Sequence, residues 1–336
     1  MSMPLDPLSR LFACLGACLL SLGFAAGCAL LPSAEPLPQP SPSAVPPGEF
    51  RVIGYLADWN SPQAVIQFDK LTHLNYAFLL PQPDGSLGEV QHPQRLSQLV
   101  QEAHASGVKV LIAVGGWGYD DAFEQLAADP QARQRFVANL AAYTAAYELD
   151  GVDIDWEYPD PGDSARNFLS LMQALRQALP AESLLTAAVV ASGKLAEGIP
   201  AEVFPLVDWL NIMAYDRNNQ NHSPLDYAQE ALDYWLQRGL PRQKAALGVP
   251  FYARPDGVPY RLLVAFDPSA ASRDETTYQG RQVFYNGIPT LQAKARLALE
   301  RAAGIMIWEL SQDTSGENSL LAAIHQVVRR EDSVLP

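Results

Sequence analysis

Cysteine is confined to the first 28 residues of this 336-residue chain. The only cysteines are Cys14, Cys18 and Cys28, so the sequence after residue 28 can form no disulfide bond and offers no thiolate for catalysis or metal binding. Folding of that larger part must therefore rest on packing, and the part is long enough to bury one large core.

Positive charge is also scarce. The chain carries 23 Lys and Arg against 37 Asp and Glu, a net charge of −14. No run of basic residues is longer than Arg329-Arg330. This balance argues against nucleic acid or an anionic membrane surface as a partner and is compatible with a neutral ligand. The five histidines show no spacing typical of a metal site. We expect no metal and no cofactor.

An apolar run from Leu11 to Leu31, preceded by Arg10, is typical of a secretory signal. Residues 25–28, Ala-Ala-Gly-Cys, resemble a bacterial lipobox, in which the cysteine becomes the acylated first residue after cleavage. Cys18 fits the residue pattern better, but cleavage there would leave a long apolar stretch on the mature protein. We therefore predict a lipoprotein-like signal over residues 1–28, lipidation at Cys28, and export to the bacterial cell envelope. An ordinary cleaved signal on a secreted protein, or a membrane anchor with an incidental cysteine, is the alternative.

Residues 29–49 form a predicted linker. Between Pro32 and Gly48 there are seven prolines and almost no large apolar residue, which favours an extended spacer over a domain.

From residue 50 onward, short apolar runs typical of strands alternate with helical patterns. The predicted strands are Val52–Tyr55, His73–Phe78, Val108–Val114, Gly151–Trp156, Leu184–Ala191, Trp209–Ala214, Ala245–Phe251 and Ile305–Trp308. Helices are predicted to begin at Asp129-Pro130 and at Ser223-Pro224, the second ending at Gly239. Eight such alternations favour an α/β fold, a single-domain (β/α)8 TIM barrel over residues 50–330, and we expect a monomer. On strand number alone, a doubly wound open sheet remains possible.

The fourth predicted strand carries three carboxylates. Asp153, Asp155 and Glu157 alternate with apolar residues, so all three should lie on one face of the strand. Crowded carboxylates that are shielded from water cannot all stay ionised, so at least one should hold a proton at neutral pH, as a general acid must. A hard-cation site is the other interpretation, but the remaining ligands of such a site are not evident.

In a TIM barrel, active residues lie at the carboxyl ends of the strands. Polar and aromatic residues follow the third, fourth, sixth and eighth predicted strands. They are Gly115-Gly116-Trp117, Asp155-Trp156-Glu157, Tyr215-Asp216 and Trp308-Glu309.

On these motifs the chain resembles glycoside hydrolase family 18, the chitinase-like barrels, over residues 51–330. The D-x-x-D-x-D-x-E signature of the family is matched by Asp150, Asp153, Asp155 and Glu157. The M-x-Y-D motif is matched by Met213, Tyr215 and Asp216, the G-V-P-F-Y run by Gly248 to Tyr252, and the eighth-strand tryptophan by Trp308. The S-x-G-G motif departs from the pattern, because Ala113 replaces the serine that can support the inner aspartate.

The resemblance implies retaining, substrate-assisted hydrolysis of β-linked N-acetylglucosamine. Glu157 would protonate the glycosidic oxygen, and Asp155 would orient the acetamido group and stabilise the oxazolinium intermediate. Asp153 would share a proton with Asp155, and Tyr215 would donate to the acetamido oxygen. Asp216 would bind a sugar hydroxyl, and Trp308 would stack on the sugar.

Further substrate contacts are expected from Met213, Trp117, Gly116, Tyr55 and Arg254, although each of the outer residues could equally be structural. The implied substrate is chitin or chito-oligosaccharides. An endo-β-N-acetylglucosaminidase acting on N-glycans or peptidoglycan, or a non-catalytic chitin-binding lectin, is the alternative, and the intact Glu157 argues against the lectin. The segment from Pro255 to about Ile288 is too short for a full α+β insertion, so we expect an open groove, and Asn286-Gly287 predicts a turn there.

Overall fold

The computed structural model describes residues 50–332; the predicted signal, the linker and Cys28 lie outside the described residues. Eight parallel strands form the centre of the fold: β1 (Arg51–Ala57), β2 (His73–Leu79), β3 (Lys109–Gly115), β4 (Gly151–Asp155), β5 (Leu184–Val190), β6 (Trp209–Met213), β7 (Ala245–Pro250) and β8 (Gly304–Trp308). Each strand pairs with its neighbours along the chain, and β8 pairs with β1, so the sheet closes. The predicted TIM barrel is confirmed, and closure excludes the open sheet.

Helices surround the barrel. They are α1 (Pro93–Ala105), α2 (Asp120–Ala128), α3 (Pro130–Ala146), α4 (Asp163–Ala178), α5 (Leu225–Gln237), α6 (Tyr260–Phe266), α7 (Ile288–Arg301) and α8 (Leu320–Asp332). The connections from β1 to β2 and from β5 to β6 contain short 3₁₀ segments instead of an α-helix. Within residues 50–332, no helix combines the length and apolar character that crossing a bilayer requires.

The apolar side chains form two layers. The larger layer lies between the strands and the helices, which explains why the strands are nearly continuous apolar runs. The smaller layer fills the barrel interior and includes the alanines Ala77, Ala113, Ala188 and Ala246. Because these interior side chains are small, they leave room for larger polar side chains among them.

The two predicted helix starts differ in how they form. Asp129 caps α3 as expected, because its side chain accepts a hydrogen bond from Gln131 N at 2.8 Å and Pro130 occupies the first turn. Helix α5 begins one residue later than predicted, after Pro224, and has no side-chain cap. The hydroxyl of Ser223 donates instead to Ala214 O at 2.7 Å, so this serine fastens the loop to the end of β6.

The segment between β7 and α7 is a compact insertion. It contains α6, a two-residue strand pair and a β-hairpin, Glu275–Tyr278 with Arg281–Phe284. The hairpin turns at Gln279-Gly280, where both residues have positive φ, as a tight two-residue turn requires. The turn predicted at Asn286-Gly287 is wrong, because Asn286 is buried and Gly287 leads directly into α7.

Candidate active site

A cavity of about 920 Å³ opens at the carboxyl ends of the barrel strands. Nine of the residues predicted for the site line it: Tyr55, Trp117, Asp155, Glu157, Met213, Tyr215, Asp216, Arg254 and Trp308. Asp153 lies beneath the cavity inside the barrel and is fully buried. The structure therefore brings together side chains from β1, β4, β6 and β8 and from the loops that follow β3, β6 and β7.

The acids of strand β4 lie on one face, as their alternation with apolar residues predicted. Asp153 and Asp155 are buried on the interior side, and Glu157 follows two residues after the strand. Trp156 points the opposite way, where its ring stacks on Phe123 with centroids 5.2 Å apart. Asp150, the first acid of the motif, lies at the other end of the strand and binds Val110 N at 2.7 Å and His104 at 2.8 Å. Asp150 thus fixes the start of β4, and the other three acids face the site.

Both carboxylate oxygens of Asp153 accept hydrogen bonds inside the barrel. Tyr55 Oη donates to Oδ2 at 2.5 Å, while Thr186 Oγ1 and Asn211 Nδ2 donate to Oδ1 at 2.5 and 3.0 Å. Ala113, which replaces the family's serine, lies beside Asp153 on β3, and Thr186 lies beside it on β5. The hydroxyl that Ala113 lacks on β3 is therefore supplied by Thr186 on β5.

Burial dominates the protonation of these acids. It raises the pKa of Asp153, although the hydrogen bonds from Thr186, Tyr55 and Asn211 oppose the shift. The pKa of Asp155 is raised well above its usual range by burial and then by the neighbouring charges of Glu157 and Asp153. Burial also raises the pKa of Glu157, against a hydrogen bond with Tyr158. A proton is therefore retained within this trio at a pH where ordinary carboxyl groups have lost theirs.

Asp155 differs from Asp153 in its partners. Oδ1 of Asp155 is buried and has no hydrogen-bond partner among residues 50–332. An unpaired buried polar atom is costly, and such atoms concentrate where a ligand can supply the missing bond. Asp155 lines a cavity whose wall also includes Tyr215, so a polar group of a substrate could bind both residues.

Asp216 also lines the cavity, and its surroundings differ from those of the acids on β4. Its φ of 60° lies in the left-handed region, which is disfavoured for a residue with a side chain. Arg254 makes a bidentate ion pair with it, with Nε at 2.7 Å, and His222 Nδ1 lies 3.2 Å from its Oδ1. Burial alone would raise the pKa of Asp216, but the hydrogen bonds from His222, Arg254 and Tyr252 outweigh burial and lower it. Arg254 thus contacts Asp216 directly, and both residues line the cavity.

Aromatic rings form the floor and the rim. Trp308 packs against Phe78 in a stacked arrangement at 5.5 Å and against Tyr55 edge to face at 5.6 Å. At the rim, the side chains of Trp117 and Trp59 are 80% and 48% exposed. Rings that are held rigidly at a cavity and left accessible suit the apolar faces of sugars. Tyr215 stays a neutral donor, because burial raises the pKa of its hydroxyl well above the usual value.

The glycines after β3 let the chain pass close to β4. Gly115 and Gly116 both have positive φ, and Gly116 N donates to Asp155 O at 2.8 Å. A Cβ on Gly115 would lie 2.3 Å from the same carbonyl, and one on Gly116 would meet the Phe78 ring at 2.6 Å. The observed contacts of Gly116 are therefore structural, and the substrate contact predicted for it stays a prediction.

Several residues of the site were not predicted from the sequence. Asn211 and Thr186 hold Asp153, His222 and Tyr252 hold Asp216, and Phe78 supports Trp308. The available signal was a polar residue inside a buried strand, as at Thr186 and Asn211, since such a side chain requires a partner. Within residues 50–332, no group of three or more His, Cys, Asp or Glu side chains is arranged to hold a metal ion.

Known proteins share both the sequence pattern and the barrel. A chitinase from Bacteroides thetaiotaomicron superposes with a TM-score of 0.75 and 29% identity, covering 84% of this chain and 97% of that one. The family 18 chitinase ChiB from Flavobacterium johnsoniae gives a TM-score of 0.73, also at 29% identity, with 84% and 94% covered.

Among curated proteins, chitinase A1 of Niallia circulans is 32% identical over 186 residues, 44% of this chain and 27% of that protein. Probable chitinase 10 of Drosophila melanogaster is 27% identical over 251 residues, 61% of this chain and 11% of that protein. The matched region is thus a minor part of these longer relatives. The family model for glycosyl hydrolases family 18 matches residues 51–313, and the chain belongs to that family.

Proposed function

We propose that the protein is a retaining glycoside hydrolase that cleaves β-1,4-linked N-acetylglucosamine in chitin or chito-oligosaccharides. The observation that carries the proposal is the convergence of Asp155, Glu157 and Tyr215 on one cavity floored by Trp308. The chitinases among its relatives support the substrate class.

Glu157 is the general acid of the proposed reaction. Burial raises its pKa, which favours the protonated form that a general acid needs, and Glu157 lines the cavity where a glycosidic oxygen would be placed. Transfer of that proton to the leaving oxygen accompanies cleavage of the glycosidic bond.

The nucleophile comes from the substrate. The carbonyl oxygen of the 2-acetamido group attacks the anomeric carbon, which gives an oxazolinium ion and releases the other sugar. Tyr215 donates its hydroxyl to the acetamido oxygen and orients it. Asp155 binds the acetamido N–H through the oxygen that has no protein partner, and its negative charge stabilises the positive ring. Asp153 takes up the proton that Asp155 gives up, so the two aspartates titrate as a pair.

Water then completes the reaction. Glu157, now ionised, removes a proton from a water molecule that attacks the anomeric carbon from the leaving-group side; the bond between that carbon and the acetamido oxygen breaks, which restores the 2-acetamido group. The two inversions leave the product with the β configuration. Asp216 and Arg254 bind sugar hydroxyls, while Trp308 stacks on the apolar sugar face.

The shape of the groove bears on chain length. The insertion after β7 consists of a two-residue strand pair, short helical segments and one longer hairpin, and Trp59 and Trp117 are exposed at the rim. We therefore propose an open groove that accepts soluble oligosaccharides or internal segments of a chain. Tight processive action on crystalline chitin would contradict this proposal.

One experiment tests the substrate and the mechanism together. The protein is incubated separately with chitohexaose, an N-glycoprotein and peptidoglycan, and products are identified by mass and by the anomeric NMR signals at early times. We expect shorter chito-oligosaccharides that first appear as β anomers. Release from peptidoglycan or the glycoprotein alone would refute the chitinase assignment, and initial α anomers would refute the substrate-assisted route.

The location of the protein is also a proposal. The signal-like run and Cys28 support export and lipid anchoring to the cell envelope.

A further inference from the structure

Lys294 is a fully buried lysine on α7, outside the cavity described above. A lysine is seldom completely buried unless its ammonium group is paired, because removing the charge from water is costly. Burial lowers the pKa of Lys294 to about 7, while Asp274 and Asp226 oppose the shift electrostatically. The contacts of the Lys294 ammonium group must therefore offset the free-energy cost of its burial.

The ammonium group uses all three of its donors. Nζ of Lys294 donates to Ser223 O at 2.6 Å, to Ser223 Oγ at 2.6 Å and to Asn286 Oδ1 at 2.7 Å. The side chain of Asn286 closes the triangle by donating to the same Ser223 carbonyl at 2.9 Å. Lys294 therefore joins two segments, the loop between β6 and α5 and the end of the insertion.

One of these segments contains a partner of Asp216, and the other is hydrogen-bonded to a second partner. Ser223 follows His222, whose Nδ1 lies 3.2 Å from Asp216 Oδ1. Asn286 follows Phe284 by two residues, and the backbone of Phe284 exchanges two 2.9 Å hydrogen bonds with that of Arg254, the ion-pair partner of Asp216. One of the two groups that hold the carboxylate, His222, thus lies in a segment that Lys294 binds, and the other, Arg254, is hydrogen-bonded through its backbone to the second segment.

A third connection runs through the serine hydroxyl. Ser223 Oγ accepts from Lys294 and donates to Ala214 O at 2.7 Å, two residues before Asp216. Asp216 has a φ of 60°, and a disfavoured backbone conformation persists only where the surroundings impose it. The relay from Lys294 to Ala214 supplies such a constraint on the backbone that leads into Asp216.

We propose that Lys294 is a positioning residue for Asp216: it braces His222, Arg254 and the end of β6 so that the carboxylate is presented to the substrate. This inference rests on the proposed function through the sugar contact assigned to Asp216. It does not place Lys294 in contact with the substrate.

The kinetic test compares two lysine variants of the full-length protein. Lys294→Met keeps the length of the side chain and removes its three donors. The matched control is Lys244→Met, because Nζ of Lys244 also donates to three oxygens, Phe204 O, Pro205 O and Val207 O, but just before β7, at the opposite end of the barrel. On a fluorogenic chito-oligosaccharide, per folded molecule, we expect kcat/KM to fall roughly 10- to 100-fold in Lys294→Met. The control should stay within about twofold of the wild type. Equal effects in the two variants would overturn the proposal.

A double-mutant comparison separates positioning from general loss of stability. If Lys294 acts through Asp216, Lys294→Met should cost much less in an Asp216→Asn background than in the wild type, because the group it positions is already impaired. The same fold loss in both backgrounds would overturn the proposal. Ser223→Ala provides a milder variant should Lys294→Met fold poorly; it breaks the relay to Ala214 O and should show the same dependence on Asp216.

Hydrogen exchange tests the positioning without using activity. We expect faster amide exchange over residues 214–223 in Lys294→Met and in Ser223→Ala, and unchanged exchange there in Lys244→Met. If residues 214–223 of Lys294→Met exchange at the wild-type rate, the proposed positioning role of Lys294 is refuted, even if the enzyme is a chitinase. A wild type that hydrolyses none of the three substrates would refute the proposed function, and exchange would still decide whether Lys294 orders the segment.

Discussion

Replacing Thr186 with valine would remove one hydrogen-bond donor from Asp153 while leaving the side-chain volume nearly unchanged. Thr186 Oγ1 donates to Asp153 Oδ1 at 2.5 Å in a fully buried setting. Two other donors, Tyr55 and Asn211, remain in the variant. The substitution therefore weakens the stabilisation of the Asp153 anion without abolishing it.

The magnitude follows from the charge on the acceptor. A hydrogen bond to an ionised group contributes about 1.5–3 kcal/mol. Since about 1.4 kcal/mol corresponds to one pKa unit, the loss should raise the pKa of Asp153 by roughly one to two units. Partial compensation by Asn211 favours the lower value.

In the proposed mechanism Asp153 and Asp155 share a proton, and this fixes the sign of the effect on activity. The pair would have to lose one of its two protons before it could carry the negative charge that stabilises the proposed oxazolinium ion. Donors to Asp153 lower the pH at which that proton leaves, so removing one raises it. The acidic limb of the kcat/KM profile should therefore move about one unit toward higher pH in Thr186→Val. The alkaline limb, which reports Glu157 in the proposed mechanism, should stay in place.

The assay is the pH dependence of kcat/KM on a fluorogenic chito-oligosaccharide. Thr186→Ser keeps the hydroxyl and should restore the wild-type limb. Thr144→Val makes the same change at another buried threonine, on α3, whose hydroxyl donates to Ala141 O at 2.8 Å, and should not move the limb. An unshifted acidic limb in Thr186→Val, or an equal shift in Thr144→Val, would refute the reasoning.

Two further predictions concern the same site, and a third concerns Cys28. Glu157→Gln should lower kcat by roughly a hundredfold to ten-thousandfold with little change in KM, as measured by steady-state kinetics, because it removes the general acid; substantial turnover would assign the acid elsewhere. Trp117→Ala should raise KM about 3- to 10-fold for chitohexaose and less for chitotriose, because an exposed rim ring contacts only the longer chain; equal effects on both sugars would place Trp117 outside the groove. Cys28→Ser should move the protein from the membrane fraction to the soluble fraction on immunoblotting, and unchanged membrane attachment would refute lipidation at Cys28.

The barrel strands and the acids could be predicted because their signals are local. Each predicted strand overlaps an observed one, since a strand buried on both faces must be an apolar run. The alternation of Asp153, Asp155 and Glu157 likewise follows from the period of the strand. Both signals depend on the local sequence alone and not on which strands are neighbours in the barrel.

The partners of the acids could not be predicted, because they depend on contacts between distant parts of the chain. Asn211 and Thr186 are 58 and 33 residues from Asp153, and they meet it only when the barrel closes. The wrong turn at Asn286-Gly287 has a similar cause. Asn-Gly is the usual local signal for a tight turn, but the Asn286 side chain is hydrogen-bonded to Ser223 and Lys294. Gln279-Gly280 forms the turn instead.

The same dependence on distant partners separates the roles of three chemically identical side chains. Asp155, with a buried oxygen that no described residue binds, has a pKa far above the usual value. Asp216, held by Arg254 and His222, has a lowered pKa. The pKa of Asp153 lies between those of the other two aspartates, because three neutral donors oppose the effect of its burial. A motif specifies only that an aspartate is present, whereas the donors on β1, β5, β6 and the loop after β7 determine its charge. Substitutions at those donors should therefore alter the pH dependence of the enzyme while every residue of the motif stays intact.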